Sequence, residues 1–183
     1  MTDFIMLKGV RVSFPHLFTP PVINGETGKC GAVLMLEPEK HDRMIKSIKQ
    51  AIAAVQKDRF KGRKLPSDKL CLRNGEDKGR PEYDGYEVLS TNSRKAPIVV
   101  DTDGSSVVTS EEDNAIYAGC FVNAKVRLWG QDNQYGKRVN CELVSIQFAR
   151  DGEPLDTSYV PVDEAMEGFD SVEEDDEDDF LAA

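Results

Sequence analysis

The sequence predicts a mainly β domain with one helix. A small antiparallel barrel or sandwich fits the pattern, and an OB-fold-like antiparallel β-barrel with long loops and a disordered acidic C-terminal tail fits it best. Three observations carry this reading. Short segments of strand-like alternation recur along the chain, a single stretch has helical periodicity, and the acidity is concentrated at one end. The chain of 183 residues has a formal net charge of -10, yet residues 163–183 hold 11 of the 33 acidic residues and no Lys or Arg. The remaining 22 acidic and 23 basic residues leave residues 1–162 near neutrality. We therefore expect one folded domain over 1–162 and a tail over 163–183 that cannot bury enough apolar surface to offset its ordering entropy.

The elements follow in order. Lys8 to Phe14 alternates, with Lys8, Val10, Val12 and Phe14 on one side, and enters a Pro-rich loop from Pro15 to Pro21. Lys29 to Leu36 is apolar on both faces, as a strand covered on both sides should be. Pro38 opens a helix in which Met44, Ile45, Ile48, Ala51, Ile52 and Val55 recur at helical spacing, ending near Phe60 before Gly62. Residues 61–85 are polar and turn-rich and read as a long loop. Strands are expected at Tyr86 to Thr91, Pro97 to Asp101, Tyr117 to Trp129 and Lys137 to Ala149, the last two joined by a turn containing Gly130, Asp132, Asn133 and Gly136.

Several classes are excluded. No apolar run approaches the about 18 residues of a membrane helix, and the N-terminus lacks the parts of a signal peptide. Cys30, Cys71, Cys120 and Cys141 stand far apart in or beside apolar stretches, which reads as reduced, buried thiols. Neither His16 nor His41 has a nearby Cys, so no zinc site and no metal or other cofactor is expected. Gly25 to Cys30 superficially suggests a phosphate loop, but its first glycine would fall at Ile23 and Cys30 replaces the Ser or Thr. An Asp-Gly turn accounts for Asp101 and Asp103. With no catalytic constellation, the chain does not read as an enzyme.

Three features point to binding instead. Along Phe121 to Trp129, Val122, Ala124, Val126 and Leu128 share one face, while Phe121, Asn123, Lys125, Arg127 and Trp129 share the other. Aromatic rings framing cations suit a single nucleic-acid strand, because bases stack on the rings and phosphates meet the cations. The alternative is a solvated face with Trp129 under a loop. The second feature is basic: Lys57, Arg59, Lys61, Arg63 and Lys64 cluster around Phe60, and residues 40–80 hold 13 basic against 5 acidic residues. The third is the tail, where Glu173, Glu174, Asp175, Asp176, Glu177, Asp178 and Asp179 precede Phe180. Such a tail can compete with a polyanion for the basic body, or offer partner proteins charge plus an aromatic anchor.

Four segments resemble a family of bacteriophage single-stranded DNA-binding proteins first catalogued as a domain of unknown function. Ser13 to Pro20 (SFPHLFTP) resembles its S-F-P-x-L-F-x-P, and Cys71 to Tyr86 (CLRNGEDKGRPEYDGY) is similar to its L-R-D-G-D/E run ending in P-x-Y-x-G-Y. Ala115 to Val126 (AIYAGCFVNAKV) resembles its Y-x-G-x-x-V-x-A, and Leu143 to Leu155 (LVSIQFARDGEPL) its L-x-x-V-Q-x-x-x-D-G-E-x-L. The resemblance covers about residues 7–160. Asn74 stands where the family has Asp, Ile146 replaces Val, and Leu181, Ala182 and Ala183 follow Phe180 where related tails end on the aromatic.

The resemblance implies an OB-fold that binds single-stranded DNA without sequence preference during phage replication and recombination. It also implies an acidic tail that contacts a polymerase, helicase or recombinase in the cytoplasm of an infected bacterial host. A homo-oligomer is compatible with it. Tyr83, Tyr86, Phe121, Trp129 and Tyr135 are the expected stacking rings, with Phe14 or Phe18 as further candidates, although the phase of Phe14 favours the core. Tyr117 and Tyr159 are expected in the core or flanking a strand. The rival reading is a protein-interaction or DNA-mimic module acting through the tail alone.

Overall fold

The computed structural model describes residues 3–155 and 165–172. Among the described residues, ten strands and one long helix run in the order β1 (Ile5–His16), β2 (Val22–Ile23), β3 (Glu26–Thr27), β4 (Cys30–Leu36), α1 (Asp42–Phe60), β5 (Leu72–Asn74), β6 (Glu87–Ser93), β7 (Ile98–Val100), β8 (Val107–Val108), β9 (Phe121–Asn133) and β10 (Gly136–Arg150). The predicted tail residues 173–183 and Tyr159 lie outside the described residues. Among the described residues, no helix is long and apolar enough to cross a membrane.

Strands β6, β4, β1, β9 and β10 hydrogen-bond in that order, and β10 returns to β6 to close a five-stranded barrel. The neighbouring pairs within that series are antiparallel, whereas the closing contact is parallel, through Glu142 beside Asn92. Closure removes the unpaired edges that β6 and β10 would otherwise expose. The interior is filled at period 2 by Val10 and Val12 from β1, Leu34 and Leu36 from β4, and Val126 and Leu128 from β9, with Leu89 from β6 and with Leu143 and Ile146 from β10 on either side of a register shift. Ile45, Ile48 and Ile52 recur on one face of α1 and join this core, so the helix packs on β9 and β1 while its lysines face away.

The covered-on-both-faces reading of Lys29 to Leu36 holds for a specific reason. Ala32, Leu34 and Leu36 point inward, while Met35 and Val33 point outward into a second small cluster with Val88, Tyr83 and Tyr86. That lid comes from the expected loop over 61–85, which in fact contains β5 and short 3-10 turns at Ser67–Lys69, Gly75–Lys78 and Pro81–Tyr83. Its fold depends on Gly75, where an added Cβ would meet the Tyr83 carbonyl oxygen at 1.8 Å.

Two strand readings need correction. The first strand does not keep one phase from Lys8 to Phe14: its register slips between Leu7 and Val10 and again between Ser13 and His16. The second slip puts Phe14 at φ 49, buries Ser13 and leaves Phe14 42% exposed under the Arg80 guanidinium, 4.6 Å from the ring centroid. The turn between the two long strands is also tighter than expected. Gly130 and Asp132 continue β9, and Asn133 pairs with Gly136 across a two-residue tip.

Candidate nucleic-acid interface

The long β9–β10 hairpin builds the site. Alternation along β9 buries Val122, Ala124, Val126 and Leu128 and turns Arg127 and Trp129 outward. The register of β10 sets Asn140 opposite Trp129 and Glu142 opposite Arg127, and barrel closure brings Asn92 beside Glu142. These outward side chains line a cleft of about 610 Å³.

Trp129 is half-buried in the wall of the cleft, with the Arg94 guanidinium 5.9 Å from its ring centroid. Arg127 donates through Nε to Glu142 Oε2 at 2.9 Å and forms an ion pair with the same carboxylate. The Asn140 amide donates to Gln131 Oε1 at 2.9 Å. Arg138 donates to the Asp68 carbonyl at 3.2 Å, tying the segment before β5 to the hairpin. With Lys29 and Lys69 at its margins, the cleft gathers seven Lys or Arg side chains against two carboxylates, those of Asp68 and Glu142.

Among the described residues, Arg127 is the one cation of the cleft held in an ion pair, and two of the others stand out. Burial, reinforced by the neighbouring charge of Arg73, holds the Lys78 ammonium below its ordinary pKa. Arg73 Nε is buried without any hydrogen-bond partner. An unpaired buried donor costs about 1–3 kcal/mol, more for a charged group. Both side chains line the cleft, where their charge favours an anionic ligand.

The other expected site residues are spread more widely. Lys125 is exposed on the same face of β9, one step beyond Arg127. Phe121 is half-buried under Arg150, 4.0 Å from its centroid, and eight residues of strand, about 26 Å, separate it from Trp129. Asn123 is engaged within the fold, accepting from the Gly9 amide and donating to Gln147 Oε1, each at 3.0 Å. At the helix end, Lys57, Lys61, Arg63 and Lys64 are exposed but do not line the cleft, whereas Arg59 lays its stem on Gly130, beside Trp129. Tyr135 is 78% exposed at the hairpin tip.

Three of the rings expected at the interface are engaged in packing instead of lining the cleft. Phe60 is only 6% exposed because it closes α1 against the core. Tyr83 is 2% exposed, packs on Met35 and Val88, and donates to Ser13 Oγ at 3.2 Å. Tyr86 is half-buried in the same cluster. Phe18 packs partly buried against the core, and the Tyr117 hydroxyl donates to the Gly152 carbonyl at 3.0 Å.

Sequence reasoning missed Lys29, Lys69, Arg73, Lys78, Arg94 and Arg138, which come from separated segments. One signal was available: in β10, Arg138, Asn140 and Glu142 alternate with buried Val139, Cys141 and Leu143. All four cysteines are free and buried. Burial, with Cys71 alongside, pushes the Cys141 thiol well up, which keeps it protonated and unreactive. Among the described residues, no cluster of His, Cys, Asp and Glu could hold a metal ion.

A closed five-stranded barrel with a cationic, Trp-bearing cleft on its outer wall defines an OB-fold protein built for a polyanion. The sequence model of the family described as "Enterobacter phage Enc34, ssDNA-binding protein" matches residues 3–181, and the chain belongs to that family. Its barrel superimposes on the single-stranded DNA-binding protein of bacteriophage Enc34, solved in complex with single-stranded DNA. The TM-score is 0.75 at 30% identity, over 83% of this chain and 89% of that one. Protein p50 of Acyrthosiphon pisum secondary endosymbiont phage 1 is 31% identical over 98% of this chain and 99% of its own length. The single-stranded DNA-binding protein gp2.5 of bacteriophage T7 shares the fold, with a TM-score of 0.56 at 15% identity over 93% of this chain and 97% of that one.

Proposed function

We propose that the protein coats single-stranded DNA during phage replication and recombination, with the strand lying in the cleft across β9, β10 and β6. The observation that carries this reading is the cleft itself: Trp129 stands among seven cationic side chains set against two carboxylates. A base stacks on any flat ring, so Trp129 gives affinity without sequence preference, at about 1–3 kcal/mol per base. The cations neutralise phosphates and release counterions, so affinity falls with log salt by about 0.7 per contact. Duplex DNA binds less well because its bases are already stacked. The helix-end cations Lys57, Arg59, Lys61, Arg63 and Lys64 and the tip ring of Tyr135 extend the contact beyond the cleft.

Residues 1–162 form the binding domain in this reading. The acidic segment 163–183 competes with DNA for the cationic surface and, through Glu173 to Phe180, recruits a polymerase, helicase or recombinase in the host cytoplasm. No cofactor or catalytic step is required. A tail acting alone as a DNA mimic would leave the cationic cleft without a role.

The test is intrinsic fluorescence of Trp129, the single tryptophan, titrated with oligo-dT at two salt concentrations. Salt-sensitive quenching that saturates at a fixed number of nucleotides is expected. Absence of both quenching and a mobility shift at low salt, with the tail removed, would overturn the reading.

A further inference from the structure

Phe4 stands just outside the cleft and is 54% exposed. Antiparallel pairing of Ile5 with Val126 brings Phe4 alongside Arg127 on the outer wall. The Arg127 guanidinium lies 5.4 Å from the Phe4 centroid and the Lys125 ammonium 5.5 Å from it. Arg127 therefore belongs to two neighbourhoods, since it also lines the cleft that holds Trp129. Trp129, Arg127 and Lys125 project from one face of β9 at steps of about 7 Å, and Phe4 fills the space beside the last two.

We propose that Phe4 is a second base-stacking platform, which carries the DNA strand out of the cleft along β9 toward Lys125. The inference rests on the single-strand reading of the cleft and adds a direction and an end to it. A large apolar side chain is ordinarily buried, as Leu7 is on the opposite face of the strand. Phe4 instead stays open to solvent, and its close neighbours are two cations. A ring held among cations repeats the chemistry at Trp129, where Arg94 approaches the indole. Stacking surface alternating with phosphate neutralisers is what a sequence-tolerant single-strand path requires. Met6, exposed and paired in register with Lys125, prolongs the same wall.

Phe4→Tyr and Phe4→Leu separate stacking from simple coverage of the Arg127 and Lys125 stems. Both variants keep an apolar body, but only the first keeps a ring. Each is titrated with oligo-dT series of increasing length, beside the unaltered full chain and Trp129→Ala. Phe4→Tyr is expected to bind as the parent. Phe4→Leu is expected to lose about 5- to 100-fold with long oligonucleotides and nothing with the shortest that bind. It should also saturate at fewer nucleotides. If Phe4→Leu matches the parent at every length while Trp129→Ala weakens binding, Phe4 is outside the path and the cleft reading stands. If neither variant changes affinity, both fail. Loss in Phe4→Leu at all lengths alike, with a lowered unfolding midpoint, assigns Phe4 a structural role and overturns the proposal.

Discussion

Glu142 places a carboxylate where a phosphate path should be cationic, and replacing it with glutamine tests the electrostatics of the cleft directly. Glu142 lies opposite Arg127 in the β9–β10 register and holds its guanidinium through Nε at 2.9 Å. Glu142→Gln keeps the shape and an acceptor for Arg127 but removes the charge. A phosphate seated on Arg127 lies about 6 Å from that carboxylate. Their repulsion is about 0.7 kcal/mol in bulk water and about 2.8 kcal/mol at an effective dielectric of 20. Binding to oligo-dT should therefore tighten about 3- to 100-fold at low salt. Arg127, no longer neutralised by Glu142, then counts as a full phosphate contact, which steepens the salt slope by about 0.7. From 50 to 200 mM salt, the advantage of the variant should shrink by about 2.6-fold. Anisotropy of labelled oligo-dT at several salt concentrations reads both quantities. The ion pair is partly exposed, so its loss should cost the fold only about 0.2–1 kcal/mol. An intact variant with unchanged affinity and slope would show that DNA does not pass over Arg127.

Phe60→Ala should cost about 3–5 kcal/mol of stability by opening a cavity between α1 and the barrel, while the folded fraction binds DNA normally; denaturant melts with titration separate the two. Burial lowers the His41 pKa, and its Nδ1 accepts from the Glu37 amide at 2.9 Å, so the folded state resists protonation. The unfolded chain takes up that proton near pH 6.5, so stability present above pH 6.5 is lost as pH falls below it. The drop in urea midpoint from pH 7.5 to 5.5 should be smaller in His41→Asn, which keeps an acceptor without titrating, and an equal drop would assign the effect to carboxylates. Deleting residues 163–183 should tighten DNA binding at low salt, most visibly for duplex, with the gain fading as salt screens the tail. Equal affinities of the truncated and full chains at low salt would refute competition by the tail.

What the sequence made legible follows from how local each signal is. Alternation over Phe121 to Trp129 was readable because β9 keeps one phase, and it led to both Arg127 and Trp129. The core face of α1 was readable from Ile45, Ile48 and Ile52 for the same reason. Phe14 was misread because two register slips interrupt β1, and nothing nearby declares the second except Pro15. Tyr83 was misread because its burial depends on Met35 and Val88, which lie on other strands. Phe60 sits in a basic run whose charges face solvent while its ring turns inward. The cations of the cleft were the hardest to find. Arg73, Arg94 and Arg138 are separated along the chain and meet only because β10 closes on β6, through a short parallel contact that periodicity does not encode.

That closure also explains why the cleft lies where it does. A closed barrel has an interior that must be apolar and an exterior that needs cover only in places. Helix α1 serves the interior, adding Ile45, Ile48 and Ile52 to the core, and the lid around Tyr83 covers the outer faces of β4 and β6 at Met35 and Val88. The outer wall along β9, β10 and the far end of β6 has no such apolar cover. It carries Arg127, Trp129, Asn140 and Asn92 instead of the Val, Leu and Met found under the lid. A solvated wall has no need for a tryptophan or for seven cations against two carboxylates, and a base on the ring and phosphates beside the cations would use both. The fold fixes which wall is left open, and the unmet chemistry of that wall indicates what fills it.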